Sequence, residues 1–313
     1  MSSAYKFLLL GNVVLLSFAA CGQQYTNLPL GALPMQYNGS FAGETGSPRV
    51  NANFGFGFGG GHRIGGYYRG VYEQQVSYDQ FIPALRSGIG VGVLTNQTSY
   101  LLDKHNGQGF SVAVAPKISL NGKYTLSPSL SLEYVGVHKP TYNVMYNDTL
   151  RVSYGYDSQS WIGRAGFLFN TSTFYAGYSV DILDNWNYSS DNGWKRSRRL
   201  ERYSSYLQLG YTYRSSPESP FSITAQVAFY IGHGGFVYRN TGDRFGIHWF
   251  QGYNLTFRRK QFLWGFNNMG LHAGWQHRRV KLMATNAISF EGGFSWHHAA
   301  NLSLRYVFRD EER

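Results

Sequence analysis

Cysteine is almost absent from this sequence, which has Cys21 and no other cysteine in 313 residues. A single cysteine cannot close an intrachain disulfide, and it cannot supply the paired thiolates of a metal or redox site. The sequence therefore excludes a disulfide-stapled secreted domain and a cysteine-based metalloprotein.

Charged residues and long apolar runs are also scarce. Charged side chains make up 14% of the chain, against roughly 25% in a typical soluble domain. Mean hydropathy is −0.31, and after residue 20 no apolar run approaches the roughly 20 residues that a spanning helix needs. If the chain crosses a membrane, it must do so as a closed β-barrel, because in lipid only helices and closed barrels satisfy every backbone N–H and C=O.

Aromatic residues and glycine are abundant, at 17% of the chain and 38 residues respectively. Several windows alternate apolar and polar residues with a period of two, namely 110–120, 174–181, 203–213 and 221–231. A helix would place its apolar residues three and four apart, and these windows do not. Alternation over about ten residues is typical of strands that face lipid on one side and water on the other. The sequence predicts an all-β chain that folds as a transmembrane antiparallel β-barrel.

A soluble β-sandwich is the alternative, since it also alternates buried and exposed side chains. Two features favour the barrel. Many strand faces carry four to six successive apolar positions, enough for an apolar band of about 25 Å, and aromatic residues cluster near strand ends as they do in interfacial girdles.

The predicted connections alternate between short and long. Asn121-Gly122, Asn170-Thr171 and 215–220 are short, whereas 138–157 and 184–202 are long. In outer-membrane barrels the short turns face the periplasm, which places the N-terminus and these turns there. Thirteen windows are predicted as strands, with 262–275 as one of them. A barrel of this kind has an even number, so we expect about fourteen strands, the missing one in 140–154 or 234–242.

The chain begins with a targeting segment, in which Lys6 precedes the apolar run from Phe7 to Ala20. Two processing routes are open, ordinary cleavage after Gly22 or acylation of Cys21. We expect residues 1–22 to be a signal peptide, 23–47 a periplasmic N-terminal segment and 48–313 the outer-membrane barrel.

The sequence offers no catalytic or metal-binding pattern. Its histidines do not fall at the spacing of a metal site on a helix, and no Ser/His spacing supports a hydrolase. We expect no enzyme activity, no cofactor and, despite a net charge of +11, no nucleic-acid partner in this compartment. One charged stretch is distinctive: Lys195, Arg196, Arg198, Arg199 and Arg202. It is either a solvated outer loop or a patch that grips lipid phosphates or an acidic protein segment.

Residues 36–49 resemble the N-terminal signature of the PorP/SprF family, which carries an Asn-Pro-Ala-Tyr-Ala-Gly-like stretch followed by arginine. The matching positions are Asn38, Phe41, Ala42, Gly43 and Arg49, while Gly39 stands where the family usually has proline. The stretch 76–80 and the glycine-rich run 88–93 resemble the next strands of that family. Small residues in such a run would let the barrel wall approach an internal plug.

The resemblance implies an outer-membrane component of the type IX secretion and gliding-motility apparatus. Partners implied by it are outer-membrane lipid, periplasmic lipoproteins of the machinery and a secreted surface adhesin. The alternatives are an uptake channel for small or hydrophobic solutes, with Arg164, Arg305, Glu133 and Asp181 along its pathway, and an outer-membrane lipid hydrolase.

Overall fold

The structure is a computed structural model. It describes residues 35, 38–61, 69–100, 103–139, 142–146, 149–153, 156–189, 193–196, 203–216, 218–233, 252–267, 270–291 and 295–308. The predicted signal peptide therefore lies outside the described residues. Within the described parts, no helix is long and apolar enough to cross a membrane.

The described residues form antiparallel strands and two single turns of 3-10 helix. The strands are β1 (Arg49–Gly61), β2 (Arg69–Ile82), β3 (Ser87–Tyr100), β4 (Asp103–Pro116), β5 (Ile118–Leu120), β6 (Tyr124–Lys139), β7 (Tyr142–Tyr146), β8 (Thr149–Ser153), β9 (Tyr156–Asn170), β10 (Phe174–Ser189), β11 (Gly193–Arg196), β12 (Tyr203–Arg214), β13 (Phe221–His233), β14 (Gly252–Arg259), β15 (Phe262–Asn267), β16 (Gly270–His277), β17 (Val280–Glu291) and β18 (Ser295–Val307).

Fourteen of these strands form one closed barrel wall. Each wall strand pairs with its neighbours in sequence, and β18 closes the wall on β1 in a register from Arg49 opposite Val307 to Gly61 opposite Ser295. The other four lie off the wall path: β5 continues β4 along β6, β7 and β8 form a separate hairpin, and β11 pairs with the end of β10. The prediction of about fourteen barrel strands is confirmed.

The prediction of where the missing strand lies is wrong. The window 262–275 is not one strand but two, because β15 ends at Asn267 and β16 runs back from Gly270. Within 140–154, β7 and β8 pair only with each other, so that window supplies no wall strand. The window 234–242 lies outside the described residues.

The two faces of the wall have opposite chemistry. Large apolar side chains on the outward face are exposed, such as Phe110 at 44% and Leu130 at 71%. Polar side chains on the inward face are buried, and Asn53, Asp79 and Ser179 are fully so. A water-soluble domain would have the reverse arrangement, since it does not expose a continuous apolar surface. The outward face is therefore of the kind that a membrane-spanning barrel presents to lipid, and the sandwich alternative is wrong because the sheet closes on itself.

Short turns gather at one end of the barrel, here called the short-turn end. They are 83–86, 121–123, 171–173, 215–220, 260–261 and 278–279. At Asn121 and Gly122 φ is 54° and 65°, the left-handed conformation that the predicted Asn-Gly hairpin requires. The predicted long connections leave the opposite end, although β3 to β4 and β15 to β16 are joined there by two residues each. Phe308 N donates to Pro48 O (2.9 Å), so both ends of the wall meet at the short-turn end.

Candidate functional site

The segment before β1 packs inside the barrel near the short-turn end. We call residues 38–46 the plug. Its core is a 3-10 turn at Gly39–Phe41, which contacts the inward faces of β3, β4, β6 and β9. Asn38 starts this turn because its side-chain Oδ1 accepts a hydrogen bond from the backbone N of Ser40 (3.0 Å), an N-cap that satisfies an otherwise orphaned donor.

Asn38 also fixes the turn to the wall. Its Nδ2 donates to the backbone O of Phe167 on β9 (3.1 Å), and the residue is 1% exposed. The wall has glycines where the amide group lies against it: a Cβ on Gly166 would be 2.7 Å from Asn38 Oδ1, and a Cβ on Gly177 would be 3.0 Å from Asn38 Nδ2. The hydrogen bonds of this contact therefore require asparagine at position 38. The space that the Asn38 side chain occupies requires glycine at positions 166 and 177.

Ser40 and Glu44 add further polar contacts between plug and wall. Ser40 Oγ donates to Ser129 Oγ on β6 (2.7 Å), and Lys117 Nζ donates to the backbone O of Ser40 (2.8 Å). Asn170 at the end of β9 donates from Nδ2 to Glu44 Oε1 (3.1 Å). The buried polar groups of the plug thus find partners on the wall, as buried polar groups must if they are not to cost stability.

The glycine run of β3 lies directly behind the plug. A Cβ on Gly88 would be 1.9 Å from the backbone O of Ala42, so only glycine allows this approach. Two residues further, Gly90 faces Met35, whose sulfur would lie 2.2 Å from an added Cβ. Met35 packs with Ala42, Ala113 and Ala115 in a small apolar cluster. The glycine run predicted that the barrel wall closely approaches an internal plug, and the structure shows this contact.

A buried ion pair ties the plug to β1 and β2. Arg49 Nε donates to Asp79 Oδ2 (2.7 Å), and its NH2 group donates to Asp79 Oδ1 (2.9 Å). The same Oδ1 accepts from the backbone N of Gly43 (2.8 Å), and Arg49 Nη2 also donates to the backbone O of Phe41 (3.0 Å). The Arg49 and Asp79 side chains are 2% and 1% exposed. Planar, bidentate pairing of this kind is the strong form of a charged hydrogen bond.

The structure brings the five signature residues together at the plug. Phe41 packs edge-on against Tyr175 of β10, with ring centroids 5.4 Å apart, while Asn38, Ala42, Gly43 and Arg49 make the contacts described above. Asp79 is the partner that sequence reasoning missed. It lies directly opposite Arg49 in the pairing of β1 and β2, a relation that only the strand register reveals.

A second buried charge cluster lies on the inward faces of β6, β9 and β10. Arg164 Nε donates to Asp181 Oδ1 (2.5 Å) and Arg164 Nη2 donates to Asp181 Oδ2 (2.8 Å). Glu133 Oε2 lies 3.8 Å from Arg164 Nη2. Arg305, named with these three as lining a possible solute pathway, lies elsewhere, beside a lumenal cavity described below. The structure therefore brings Arg164, Glu133 and Asp181 together, with Arg305 apart from them.

The predicted basic patch lies at the end of the barrel opposite the plug. In the pairing of β11 with β10, Arg196 stands opposite Trp186 and Lys195 opposite Asn187. Arg198, Arg199 and Arg202 lie outside the described residues. Sequence reasoning placed this patch in a loop, and the structure places its first two residues on a short strand.

Three comparisons place this barrel among known proteins. The family model for "Type IX secretion system membrane protein PorP/SprF" matches residues 23–308. A search of curated proteins found no match. Among solved structures, the toluene transporter TbuX of Ralstonia pickettii is 9% identical, with 90% of this chain and 94% of that chain covered and a TM-score of 0.53. The CymD monoaromatic hydrocarbon channel is 11% identical, with 91% and 95% covered and a TM-score of 0.51.

The two solved structures share the fold with this chain, and at such low identity they say no more than that. The family match is of a different kind, because it spans nearly the whole chain and includes the plug, Arg49 and the complete wall. Together with the apolar outward surface, it places the protein in the bacterial outer membrane. The chain belongs to the PorP/SprF family of type IX secretion system membrane proteins.

Proposed function

We propose that this barrel assists the export or surface attachment of a large cell-surface protein, and that its short-turn end faces the periplasm and docks the secretion machinery there. In this proposal it acts as a scaffold without catalytic activity. Membership of the type IX secretion family supports the role. The orientation is supported by turn length, since outer-membrane barrels have their short turns in the periplasm.

The observation that carries the proposal is the plug. Its polar groups are hydrogen-bonded to several wall strands, and it is locked by the buried pair of Arg49 and Asp79. A barrel that conducts solutes through a steadily open pore needs an unobstructed lumen, whereas a scaffold needs a rigid wall and rigid turns. A plug held this firmly supports the scaffold role over the uptake channel.

The charge of the short-turn end supports docking. Its turns expose Arg86, Lys123, Lys260, Arg278 and Arg279, against one exposed carboxylate, Glu218, among the described turn residues. A surface with such an excess of one sign attracts partners of the opposite sign and speeds their encounter. The partners at this end are therefore expected to offer acidic surfaces.

Co-purification from native outer membranes tests the proposal. We expect the tagged barrel to recover periplasmic lipoproteins of the type IX machinery and a surface protein. The variant Arg86→Glu with Lys123→Glu reverses two charges at the short-turn end and is expected to lose the lipoproteins. Lys195→Glu on β11 is the matched control, since it reverses a charge at the opposite end and should retain them. Recovery of the wild-type barrel without any of these partners would refute the scaffold role.

Conductance in planar bilayers separates the scaffold from the uptake channel. We expect the purified wild-type barrel to show no steady open pore, because the plug occupies part of the lumen. A stable, solute-permeable conductance in the wild-type protein would favour the channel.

A further inference from the structure

The plug fills one side of the lumen and leaves a cavity on the other. The cavity has a volume of about 400 Å³. Phe41, Glu44 and Arg49 of the plug region form one side, and inward-facing residues of β10 and β12–β18 form the other. The turn residues 171–173 also line it, so it lies at the short-turn end of the lumen. Along β14 its lining runs from Asn254 to Arg258, which is roughly 13 Å of strand.

The inner end of the cavity is an ordered polar network. Asn254 Nδ2 donates to Gln226 Oε1 (2.9 Å), and Gln226 Nε2 donates to the hydroxyl of Tyr175 (2.9 Å). Thr256 Oγ1 lies 3.0 Å from His272 Nε2 and 3.3 Å from Asn254 Oδ1. Side chains that are bonded to one another in this way are held in place, so the cavity has a defined polar floor.

The wall of the cavity is strongly basic. Arg49, Arg214, Arg258, Lys281 and Arg305 line it, and Glu44 is the one carboxylate among the described residues of the lining. Asp79 is bonded to Arg49 at the edge of this group. Cations that line a concave, low-dielectric space reinforce one another's field and attract anions more strongly than the same charges on an open surface.

The basic lining is continuous with the rim of the barrel. Arg258 faces the cavity, and Lys260 is exposed at the turn that follows β14. Arg278 is exposed at the turn that precedes Lys281. The positive surface of the short-turn end therefore runs inward from the turns to the polar floor, as a path that an extended acidic chain can follow.

We propose that this cavity is a binding site for an acidic extended peptide segment, which enters at the short-turn end and places its carboxylates against Arg258, Lys281 and Arg305. The depth of the cavity accommodates about four residues of extended chain. Arginine forks pair with carboxylates in a bidentate manner, and the floor network offers hydroxyl and amide groups to the peptide backbone. The proposed function is needed only to say that the peptide enters from the periplasm. The binding of an acidic peptide is inferred from the cavity itself.

The test uses the full-length barrel purified in detergent and two fluorescent hexapeptides. One has four glutamates and the other has glutamine at the same positions. We expect the glutamate peptide to bind, the glutamine peptide to bind at least tenfold more weakly, and the difference to shrink as salt is raised, because exposed charges are screened. Equal binding of the two peptides at low salt would overturn the proposal.

The variants compare adjacent arginines of one strand. Arg258→Gln removes a charge that faces the cavity, and Arg259→Gln removes the same charge from the outward side of β14. We expect Arg258→Gln to weaken binding about tenfold, which corresponds to roughly 1.4 kcal/mol, and Arg259→Gln to leave it unchanged. Lys281→Gln is a second cavity variant on another strand, needed because Arg258 Nε also donates to the backbone O of Lys260 (2.9 Å). Equal losses from Arg258→Gln and Arg259→Gln would place the peptide on the rim and refute the cavity site.

Inorganic phosphate distinguishes a peptide site from a small-anion site. We expect millimolar phosphate to compete only weakly with the glutamate peptide, because phosphate does not reach the whole length of the cavity. If phosphate binds and the peptide does not, the site accepts small anions and the proposal is wrong. Peptide binding in the purified barrel does not depend on the secretion machinery, so failure here and failure of the co-purification are separate outcomes.

Discussion

Replacing Asp79 with asparagine is the sharpest test of what holds the plug in place. The substitution keeps the size of the side chain and removes the charge that two atoms of Arg49 contact at 2.7 and 2.9 Å. Arg49 is then left with an uncompensated charge at a site where it is 2% exposed. Removing one partner of a buried pair costs about 3–5 kcal/mol. The wall is expected to survive, because its strand-to-strand hydrogen bonds do not involve this side chain.

The loss of plug stability in Asp79→Asn is measured as increased exposure of the plug to a labelling reagent. In a background with Cys21 replaced by serine, Ser40→Cys introduces a thiol at a position that is fully buried in the wild type. If the thiol reacts with a maleimide only when the plug opens locally, the labelling rate reports the open fraction. A loss of about 3–5 kcal/mol raises that fraction between roughly a hundredfold and a few thousandfold, so we expect labelling to accelerate by that factor in Asp79→Asn.

Two controls make the result specific. Glu218→Gln makes the same acid-to-amide change at an exposed turn of the short-turn end and should leave the labelling rate unchanged. Arg49→Met combined with Asp79→Leu removes both charges, and its effect should be smaller than that of Asp79→Asn alone, because no buried charge is then left unpaired. Equal labelling of wild type and Asp79→Asn would show that the ion pair does not hold the plug.

The other predictions use the same labelling assay or a refolding assay. Gly88→Ala introduces a Cβ that would lie 1.9 Å from the backbone O of Ala42 and is expected to cost the plug about 1–3 kcal/mol, while Gly163→Ala, where no atom lies within 4 Å of an added Cβ, should be silent. Asn38→Ser keeps a neutral N-cap acceptor but loses the bond to Phe167 O, so it should label more slowly than Asn38→Ala, which loses the cap and a further ~1 kcal/mol; equal rates would assign the whole effect to the wall contact. Val112→Arg adds a charge to the lipid-facing surface and is expected to cost about 2–4 kcal/mol in urea titrations of the barrel in liposomes, whereas Ser172→Arg at an exposed turn should cost nothing measurable.

The barrel could be predicted from sequence because a barrel strand repeats its pattern at every second residue. Alternation in the window 221–231 and in the part of 110–120 up to Pro116 corresponds to real wall strands. The window 262–275, which is two strands and not the one predicted, also carries a sequence signal for the break. Outward residues fall at even positions in β15, such as Trp264, and at odd positions in β16, such as Leu271. One strand cannot change this parity without a bulge, so the change marks a turn at Asn267–Gly270.

The partners of the plug could not be predicted, because they are distant in sequence. Gly166 and Gly177 belong to no motif, and each is more than 120 positions from Asn38. They meet Asn38 only after β9 and β10 are aligned with each other and with the plug. Asp79 was visible as a residue of the matching strand, but its pairing with Arg49 depends on the register of β1 and β2. The local alternation of residues thus predicts the strands, whereas the contacts of the plug depend on the register in which those strands pair.

The division of the lumen bears on how a partner can be held. The signature residues bind the plug to β3, β4, β6, β9 and β10, whereas the basic cavity is lined mainly by β12–β18. A ligand can therefore enter the cavity without breaking the bonds of Asn38 or the pair of Arg49 and Asp79. Because Phe41, Glu44 and Arg49 form one side of the cavity, the plug also shapes the site. It follows that a variant that releases the plug should weaken peptide binding, while a peptide that binds the cavity should slow the labelling of Ser40→Cys, since linked equilibria act on each other reciprocally.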